Sequence, residues 1–456
     1  MENCAIVLAA GDGTRMKVPA AKVLLPVLGK TMVEWVLSAA KKAGIADCCL
    51  IIGRNHEDVR RQVGDEVEYA MQTERLGTGH AVMQATGFLE RHRGAHCLVL
   101  AGDCPLISSE TMKAAYQQHV DEQNAVTVIS AHLENPFGYG RIVRDEQGGL
   151  SHIVEEKDAT EEERAINEIN SSAYWFEVDA LLDALPRIKN DNVKGEYYLT
   201  DVVELALQHG RRAGAFAAKD SVEILGANTL QQLLSLQRAA QERIFEQHMK
   251  NGVMLTSTDG VLIGPDCSIG AGTVIHAGTR LTGRSYIGEE CVLGPAAVVE
   301  DSVLGDGTTV VSSQIERSVV GTGVRIGPYA HIRPDCLIAE KVKIGNFVEI
   351  KNSKLGAGTS VAHLTYIGDA DVGEGCNFGC GVVTTNYDGR QKYRTTVGDK
   401  VFIGCNVNLV APVTLEDNAY IAAGSTITDN VPKDAFAIAR ARQVIKDNWV
   451  LTNKEE

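Results

Sequence analysis

The sequence predicts an α/β chain in two unlike halves. A doubly wound, Rossmann-like N-terminal domain is joined by one long helix to a C-terminal left-handed parallel β-helix. Three observations carry this. An aliphatic residue returns about every sixth position from Ile263 to Ile427, a step that suits neither a 3.6-residue helix nor an alternating strand. Residues 1 to about 227 instead alternate strand-like and helix-like stretches. Between the two, Thr229–Lys250 carries apolar residues at helical spacing. The expected domains are therefore 1–228, a linker helix over 229–250, and 251–456.

In the first half, Cys4–Ala9 reads as a strand, followed by a Gly-rich turn and a helix over Thr31–Ala43. Strands at Cys48–Ile52, Val67–Met71 and His96–Ala101 alternate with a helix from about Gly79 to His92 and another over Ser109–Glu122. Such alternation predicts a parallel sheet with ligands at the carboxyl ends of its strands. In the linker, Leu230, Leu233, Leu234, Ala240, Ile244, Phe245 and Met249 form the expected stripe, starting after Asn228 and ending near Asn251-Gly252.

In the second half each hexad is expected to supply one short parallel strand and a turn. Three hexads make a triangular coil with the aliphatic side chain inward. The glycine that often follows (Gly264, Gly270, Gly288, Gly294, Gly327, Gly345, Gly368, Gly398, Gly404) is expected to permit the turning backbone. The step slips by one at Val299/Leu304 and Ile350/Leu355. It breaks between Phe378 and Val397, where the polar stretch Thr384–Arg394 interrupts the coil. An insertion that leaves a rigid prism is where such a scaffold places function. Residues 429–456 lose the period and read as a capping tail.

At 456 residues the chain exceeds one core. Its 44% hydrophobic content and mean hydropathy of -0.07 describe an ordinary globular composition. A net charge of -15 argues against a nucleic-acid partner. Eleven scattered cysteines lack zinc-like spacing and read as small core residues in a reducing compartment. No signal-peptide pattern opens the sequence, and the apolar stretch Ala5–Ala10 is far too short to span a membrane. A cytoplasmic protein with no membrane partner is expected.

The first strand runs into Ala10-Gly11-Asp12-Gly13-Thr14-Arg15-Met16, where glycines let backbone N–H groups approach an anion and Arg15 adds charge. It is not a Walker A loop, and Met16 stands where a dinucleotide motif needs its third glycine. Lys22-Val-Leu-Leu-Pro follows, then Gln72 with Leu76-Gly-Thr-Gly-His80, then Leu100-Ala-Gly-Asp103 with a carboxylate at a strand tip. A magnesium ion is usually held by one such carboxylate plus substrate phosphates.

With these motifs the chain resembles the sugar-1-phosphate nucleotidyltransferases. Gly138-Tyr-Gly-Arg141, Ile153-Val-Glu-Glu-Lys157, Glu168-Ile-Asn170, Glu196-Tyr-Tyr-Leu-Thr-Asp201 and the hexad prism narrow the likeness. The whole resembles the bifunctional N-acetylglucosamine-1-phosphate uridyltransferases/glucosamine-1-phosphate acetyltransferases. The resemblance implies that Leu8, Ala9, Ala10, Gly11, Arg15 and Lys22 hold the phosphates of UTP. Gln72, Gly77 and Thr78 would meet the uracil, with Ala101 and Gly102 lining the nucleotide site. Gly140, Glu155 and Asn170 would grip the sugar, and Asp103 and Asn228 would bind Mg²⁺. Two positions depart from the pattern. Asp12 puts a negative charge in the phosphate loop, so its side chain is expected to point away from the nucleotide. Ala21 stands where the family usually has Pro.

In the prism, Arg333, Lys351, His363, Tyr366 and Asn377 are polar residues where the coil turns or slips, with Asn386, Tyr387 and Lys392 in the break. The resemblance makes His363 the base that deprotonates the glucosamine ammonium, a task suited to imidazole near neutral pH. Arg333, Lys351, Tyr366 and Asn377 would contact the sugar phosphate, while Asn386 and Tyr387 position the amine and acetyl group. Cys380, Cys405, Ala423 and Arg440 fall at acetyl-CoA positions, Cys380 replacing a usual Ala and Cys405 a usual Ser. No acetyl-cysteine step is required of either. The family also implies a homotrimer. Two other readings are an inert trimerisation prism and a nucleotidyltransferase for another sugar nucleotide. The Asn386-Tyr-Asp-Gly389 loop and His363 oppose the first, and Gln72 with the sugar-side set opposes the second.

Overall fold

The computed structural model describes residues 2–11 and 13–452 and contains two compact units, Met1–Ala240 and Gln241–Glu456. The expected orientation of Asp12 lies outside the described residues. In the first unit β1 (Cys4–Ala9), β2 (Asp47–Ile52), β3 (Glu68–Met71) and β4 (His96–Ala101) lie parallel, in the order β4-β1-β2-β3. Ile6, Ile51 and Val99 point into one core while Val7, Leu50 and Leu98 point into the other. Burial on both faces is why these strands read as continuous apolar runs. The helix Met32–Lys42 covers the second core, started by a capping box between Thr31 and Glu34.

The sheet is mixed, not wholly parallel as expected. After β5 (Asn124–His132), β6 (Arg141–Arg144) and β7 (Leu150–Val154) form an antiparallel hairpin. Then β8 (Glu168–Glu177) runs antiparallel between β4 and β5, and β9 (Arg212–Ala217) lies parallel outside β5. A parallel return needs a crossover of about a dozen residues or more, usually helical. No helix lies between His132 and Arg141, and only the four-residue helix Glu161–Arg164 lies between β7 and β8. The helix expected from Gly79 to His92 is likewise two, Thr78–Met83 and Thr86–Arg91. At their joint Gln84 N and Ala85 N bond back three residues, to the carbonyls of Ala81 and Val82, and the Thr86 hydroxyl donates to Met83 O.

The helix Leu230–Lys250 buries Leu233, Leu236, Ala240, Ile244 and Phe245. Leu230, Leu234 and Met249, expected in the stripe, are about half exposed. Thr229 starts the helix: its hydroxyl accepts from Gln232 N, and Gln232 Oε1 accepts from Thr229 N and Asn228 N. The Asn228 side chain is thereby released from capping.

The second unit is a β-helix whose three parallel sheets contain 11, 10 and 9 strands. Ile263, Leu281, Val299, Ile315, Ile332, Ile350 and Ile367 stack in register, all fully buried. The interruption leaves the stack intact, because Phe378 meets Ile403 and Val372 meets Val397 across it. Buried Thr residues stitch coils: Thr273 Oγ1 donates to Gly288 O at 2.9 Å and accepts from Cys291 N at 3.0 Å. Cys291, Cys336 and Cys376 are buried among these positions.

The hexad glycines serve a purpose different from the one expected. Most have no positive φ; Gly294 and Gly327 do, and corner residues such as Asp335, Lys341 and Asn418 take the left-handed conformation instead. A Cβ on Gly270 would lie 2.6 Å from Glu289 N, and one on Gly305 2.7 Å from Gly321 C. These glycines let the backbone of one coil rest on the next.

Candidate active sites

In the first unit the carboxyl ends of β1 and β4 meet, with Gly102 N donating to Leu8 O at 2.9 Å. A Cβ on Gly102 would stand 2.9 Å from that oxygen. Ala9 and Ala10 are buried, while Gly11 is exposed with open space where a side chain would go. Gly13 (φ 61) leads into the single turn Thr14–Met16, which carries Arg15. The buried Lys22 lies across the strand tips. Its ammonium forms an ion pair with Asp103 Oδ2 and donates to Asn228 Oδ1 at 2.8 Å. Arg15 Nη2 donates to the same Asn228 oxygen at 2.9 Å. Four of the residues expected to handle phosphates and metal thus converge from four segments, with Asp103 O also accepting from Ala227 N.

Gln72, at the end of β3, is buried; its Nε2 donates to Gly77 O at 3.1 Å and contacts His80 Nδ1 at 3.2 Å. A cavity of about 530 Å³ lined by Gly53, Arg54, His56, Met71, Gln72, Thr73 and Arg75 opens beside it. Gly77 is irreplaceable on two counts: its φ is 108°, and a Cβ would come 2.5 Å from Tyr197 O. Thr78 Oγ1 accepts from Leu199 N at 3.0 Å, so the 76–79 loop is fastened to the Glu196–Asp201 motif. Sequence reasoning gave His80 and Tyr197 no role of their own, although both stand in the motifs it quoted; Tyr197 meets Leu76 and Gly79 from a segment far along the chain.

Gly140, Glu155 and Asn170 also come together. Asn170 N donates to Gly140 O at 2.9 Å, and a Cβ on Gly140 would be 3.5 Å from Glu155 Oε1. The register of β8 shifts between Asn170 and Ala173, with Ser172 at φ 61, a bulge that re-aims Asn170. Burial pushes the Glu155 carboxyl above its ordinary range; Lys194 opposes this, and Asp158 and Glu196 add to it. Asp201, which opens a helix beside this acidic group, is raised to about 6, first by burial and then by Glu204 and Glu155. Arg141, almost wholly buried, holds the Gly138–Arg141 turn through Tyr139 O and Glu156 Oε2.

In the β-helix two columns of residues border one face. One corner carries His363, Cys380, Cys405 and Ala423 on successive coils. Gly381 N donates to His363 O, Asn406 N to Cys380 O and Gly424 N to Cys405 O, at 2.7 to 3.0 Å. Arg440 lies above Gly424. His363 is exposed, in the left-handed conformation at φ 63, with Nδ1 2.8 Å from Asn346 Oδ1. The face beyond that corner presents Arg333, Glu349, Lys351 and Tyr366, with Arg333 Nη1 donating to Glu349 Oε1 at 2.8 Å. The neighbouring Lys392 ammonium holds that of Lys351 below the ordinary value by like-charge repulsion, with Arg333 adding and Asp369 opposing. Asn377 is exposed on the neighbouring face, in register with Ser360 and Phe402.

The interrupting loop rises from the far corner. Asn386 is tied to the buried Asp369, Tyr387 is exposed and bridges Lys392, and Arg394 clamps Asp371 through two hydrogen bonds of 2.8 and 2.9 Å. Asn346, Glu349 and Asp369 were absent from the sequence-derived set. Each lies about one coil from its partner, a distance that the hexad period itself measures.

Comparison with known proteins covers both units. The nucleotidyl transferase family model matches residues 4–239, and the bacterial transferase hexapeptide model (six repeats) matches residues 317–352 and 394–429. The bifunctional protein GlmU of Geobacillus sp. (strain WCH70) is 48% identical over 450 residues, covering 99% of this chain and 98% of its own. That of Clostridium acetobutylicum is 48% identical over 451 residues, with the same coverage. That of Bacillus velezensis is 49% identical over 446 residues, covering 98% of each chain.

Proposed function

The chain belongs to the bifunctional GlmU family, and from that premise we propose how its residues divide two reactions. The enzyme acetylates glucosamine 1-phosphate with acetyl-CoA, then transfers UMP from UTP to N-acetylglucosamine 1-phosphate, giving UDP-N-acetylglucosamine and pyrophosphate. Its product serves cell-wall synthesis.

In uridyl transfer the nucleophile is an ionised phosphate, so no base is needed; the task is to align two anions and neutralise the leaving charge. Lys22 and Arg15 supply fixed positive charge at the strand tips, Gly11 exposes backbone to the phosphates, and Gln72 with Gly77 and Thr78 receives the uracil. Gly140, Glu155 and Asn170 hold the sugar. Asp103 and Asn228 fit a magnesium ion, because their oxygens already share one cation, the Lys22 ammonium. Such an ion would be completed by phosphate oxygens and water. When bound, such an ion withdraws charge from the phosphates.

In acetyl transfer His363 takes a proton from the sugar ammonium. The free amine attacks the thioester carbonyl, the C–S bond breaks, and the thiolate is reprotonated. Asn346 Oδ1 accepts a hydrogen bond from Nδ1–H, which leaves Nε2 as the basic atom. Arg333, Lys351, Tyr366 and Asn377 receive the sugar phosphate. Asn386 and Tyr387 position amine and acetyl group, and the Cys380–Cys405–Ala423 column with Arg440 accepts the coenzyme. A homotrimer is supported by the exposed apolar residues Tyr286, Val303, Val319 and Leu337, which follow one another in register on one face. A cytoplasmic location is supported by eleven cysteines that are all free. No helix among the described residues is long and apolar enough to cross a membrane.

The single observation that carries this reading is the convergence of Lys22, Asp103, Asn228 and Arg15. The test is to follow free thiol with glucosamine 1-phosphate and acetyl-CoA, and pyrophosphate with N-acetylglucosamine 1-phosphate, UTP and Mg²⁺. Both are expected; thiol without pyrophosphate, or the reverse, would remove one half of the assignment.

A further inference from the structure

Asp369 is a carboxylate with only 5% of its surface exposed, at the corner where the 384–394 loop leaves the coil. Both of its oxygens accept from side-chain amides: Oδ1 from Asn352 Nδ2 at 2.5 Å, and Oδ2 from Asn386 Nδ2. Its main chain joins the same region, with Asp369 N donating to Lys351 O at 3.0 Å and Thr395 N donating to Asp369 O at 3.1 Å. One residue therefore touches the loop's first functional side chain, the strand that resumes after the loop, and the coil that carries Lys351.

Burying a carboxylate is unfavourable unless charged-group hydrogen bonds compensate it, so this arrangement is specific to the groups it holds. A carboxylate only accepts, and it therefore selects one face of the Asn386 amide. The NH₂ group must turn toward Asp369, and the carbonyl oxygen must turn away. An amide oxygen held outward is an acceptor for the N–H of an amine nucleophile; an amide free to flip would present a donor half the time and repel it.

We propose that Asp369 is a positioning residue for acetyl transfer, fixing the orientation of the Asn386 amide so that its oxygen faces the incoming amine. This deepens the acetyltransferase reading and rests on it. Asn352 is the second tenant of the carboxylate and does not touch Asn386 in this scheme, which separates positioning from mere packing at the corner.

The test compares Asp369→Asn, Asn386→Ala, their double variant and Asn352→Ala, measuring thiol release from acetyl-CoA with glucosamine 1-phosphate. Asp369→Asn is expected to lower kcat by about tenfold to a hundredfold, as small misplacements of a reacting group do, with the KM for acetyl-CoA unchanged. The double variant should be no slower than Asn386→Ala alone, and Asn352→Ala should stay within about threefold of the parent. Multiplicative losses in the double variant, or an equal loss in Asn352→Ala, would overturn the proposal in favour of a structural role. A circular-dichroism melt of each variant identifies any that fails to fold; if Asp369→Asn does, Asp369→Ala replaces it, with the same loss expected and parental kcat overturning the proposal. If the parent protein releases no thiol, the acetyltransferase reading falls and this proposal with it. If the parent is active and Asp369→Asn keeps its kcat, only this proposal falls.

Discussion

Asn346 Oδ1 lies 2.8 Å from His363 Nδ1, joining two residues on consecutive coils of the β-helix. Because the amide oxygen can only accept, it selects the imidazole tautomer with its proton on Nδ1. The orientation of the proposed base is thus a product of coil stacking, and it is open to mutation without touching His363 itself.

Asn346→Ala is expected to slow acetyl transfer by about tenfold, leaving uridyl transfer unchanged. Thiol release with glucosamine 1-phosphate and acetyl-CoA, and pyrophosphate release with supplied N-acetylglucosamine 1-phosphate and UTP, measure the two separately. A parental rate of thiol release would show that the His363–Asn346 bond does not orient the base.

Asp103→Ala removes the partner of a buried ammonium and one proposed metal oxygen. It should reduce pyrophosphate release by about a hundredfold or more, while thiol release persists. Chelation of divalent ions should likewise stop pyrophosphate release alone; a variant with near-normal release would remove Asp103 from the metal site.

Asp201 supplies a pH dependence. Its ordinary value of 3.8 becomes about 6 in the fold, first through burial and then through Glu204 and Glu155. Between those values the folded chain binds more protons than the unfolded one, so stability declines as pH rises through that window. Replacing Asp201 with Asn should therefore stabilise the first unit at pH 8 by about 1 kcal/mol, after allowing for solvent screening of this partly exposed group. The gain should vanish near pH 3, where both states are protonated. Urea midpoints at the two pH values decide it; a gain equal at both would assign the effect elsewhere.

The glycine of the hexad has a measurable signature. Gly305→Ala drives a methyl group against the next coil's backbone, and a loss of about 2 kcal/mol or more is expected. Gly358→Ala meets no atom within 4 Å and bears only the strain of φ 66, about 1 kcal/mol. Thermal melts that reverse this order would show that turning, not stacking, sets the glycine requirement.

Much of this was legible beforehand because the hexad period and the strand-helix alternation are local signals. The convergence of Lys22 with Asp103 could be expected from strand tips, since adjacent parallel strands deliver their ends to one edge. What stayed hidden depends on contacts across coils or on connection geometry. The antiparallel β8 follows from what does not lie between His132 and Arg141. Asp369 and Asn346 look like ordinary corner residues until a neighbouring coil places an amide or an imidazole against them. The role assigned to the hexad glycines failed for the same reason: a turn can be guessed from one segment, but a close approach needs two.

The ladder from Phe378 to Ile403 continues undisturbed past the extruded segment. Additions that bulge outward at a vertex are consequently invisible to the interior, whereas removing part of a turn would rotate every later residue to another side. Cys405, Ala423 and Arg440 would then leave the edge they share with His363. Natural variants of this architecture should accordingly differ in length by external excursions or by complete revolutions, and seldom by fractions of one.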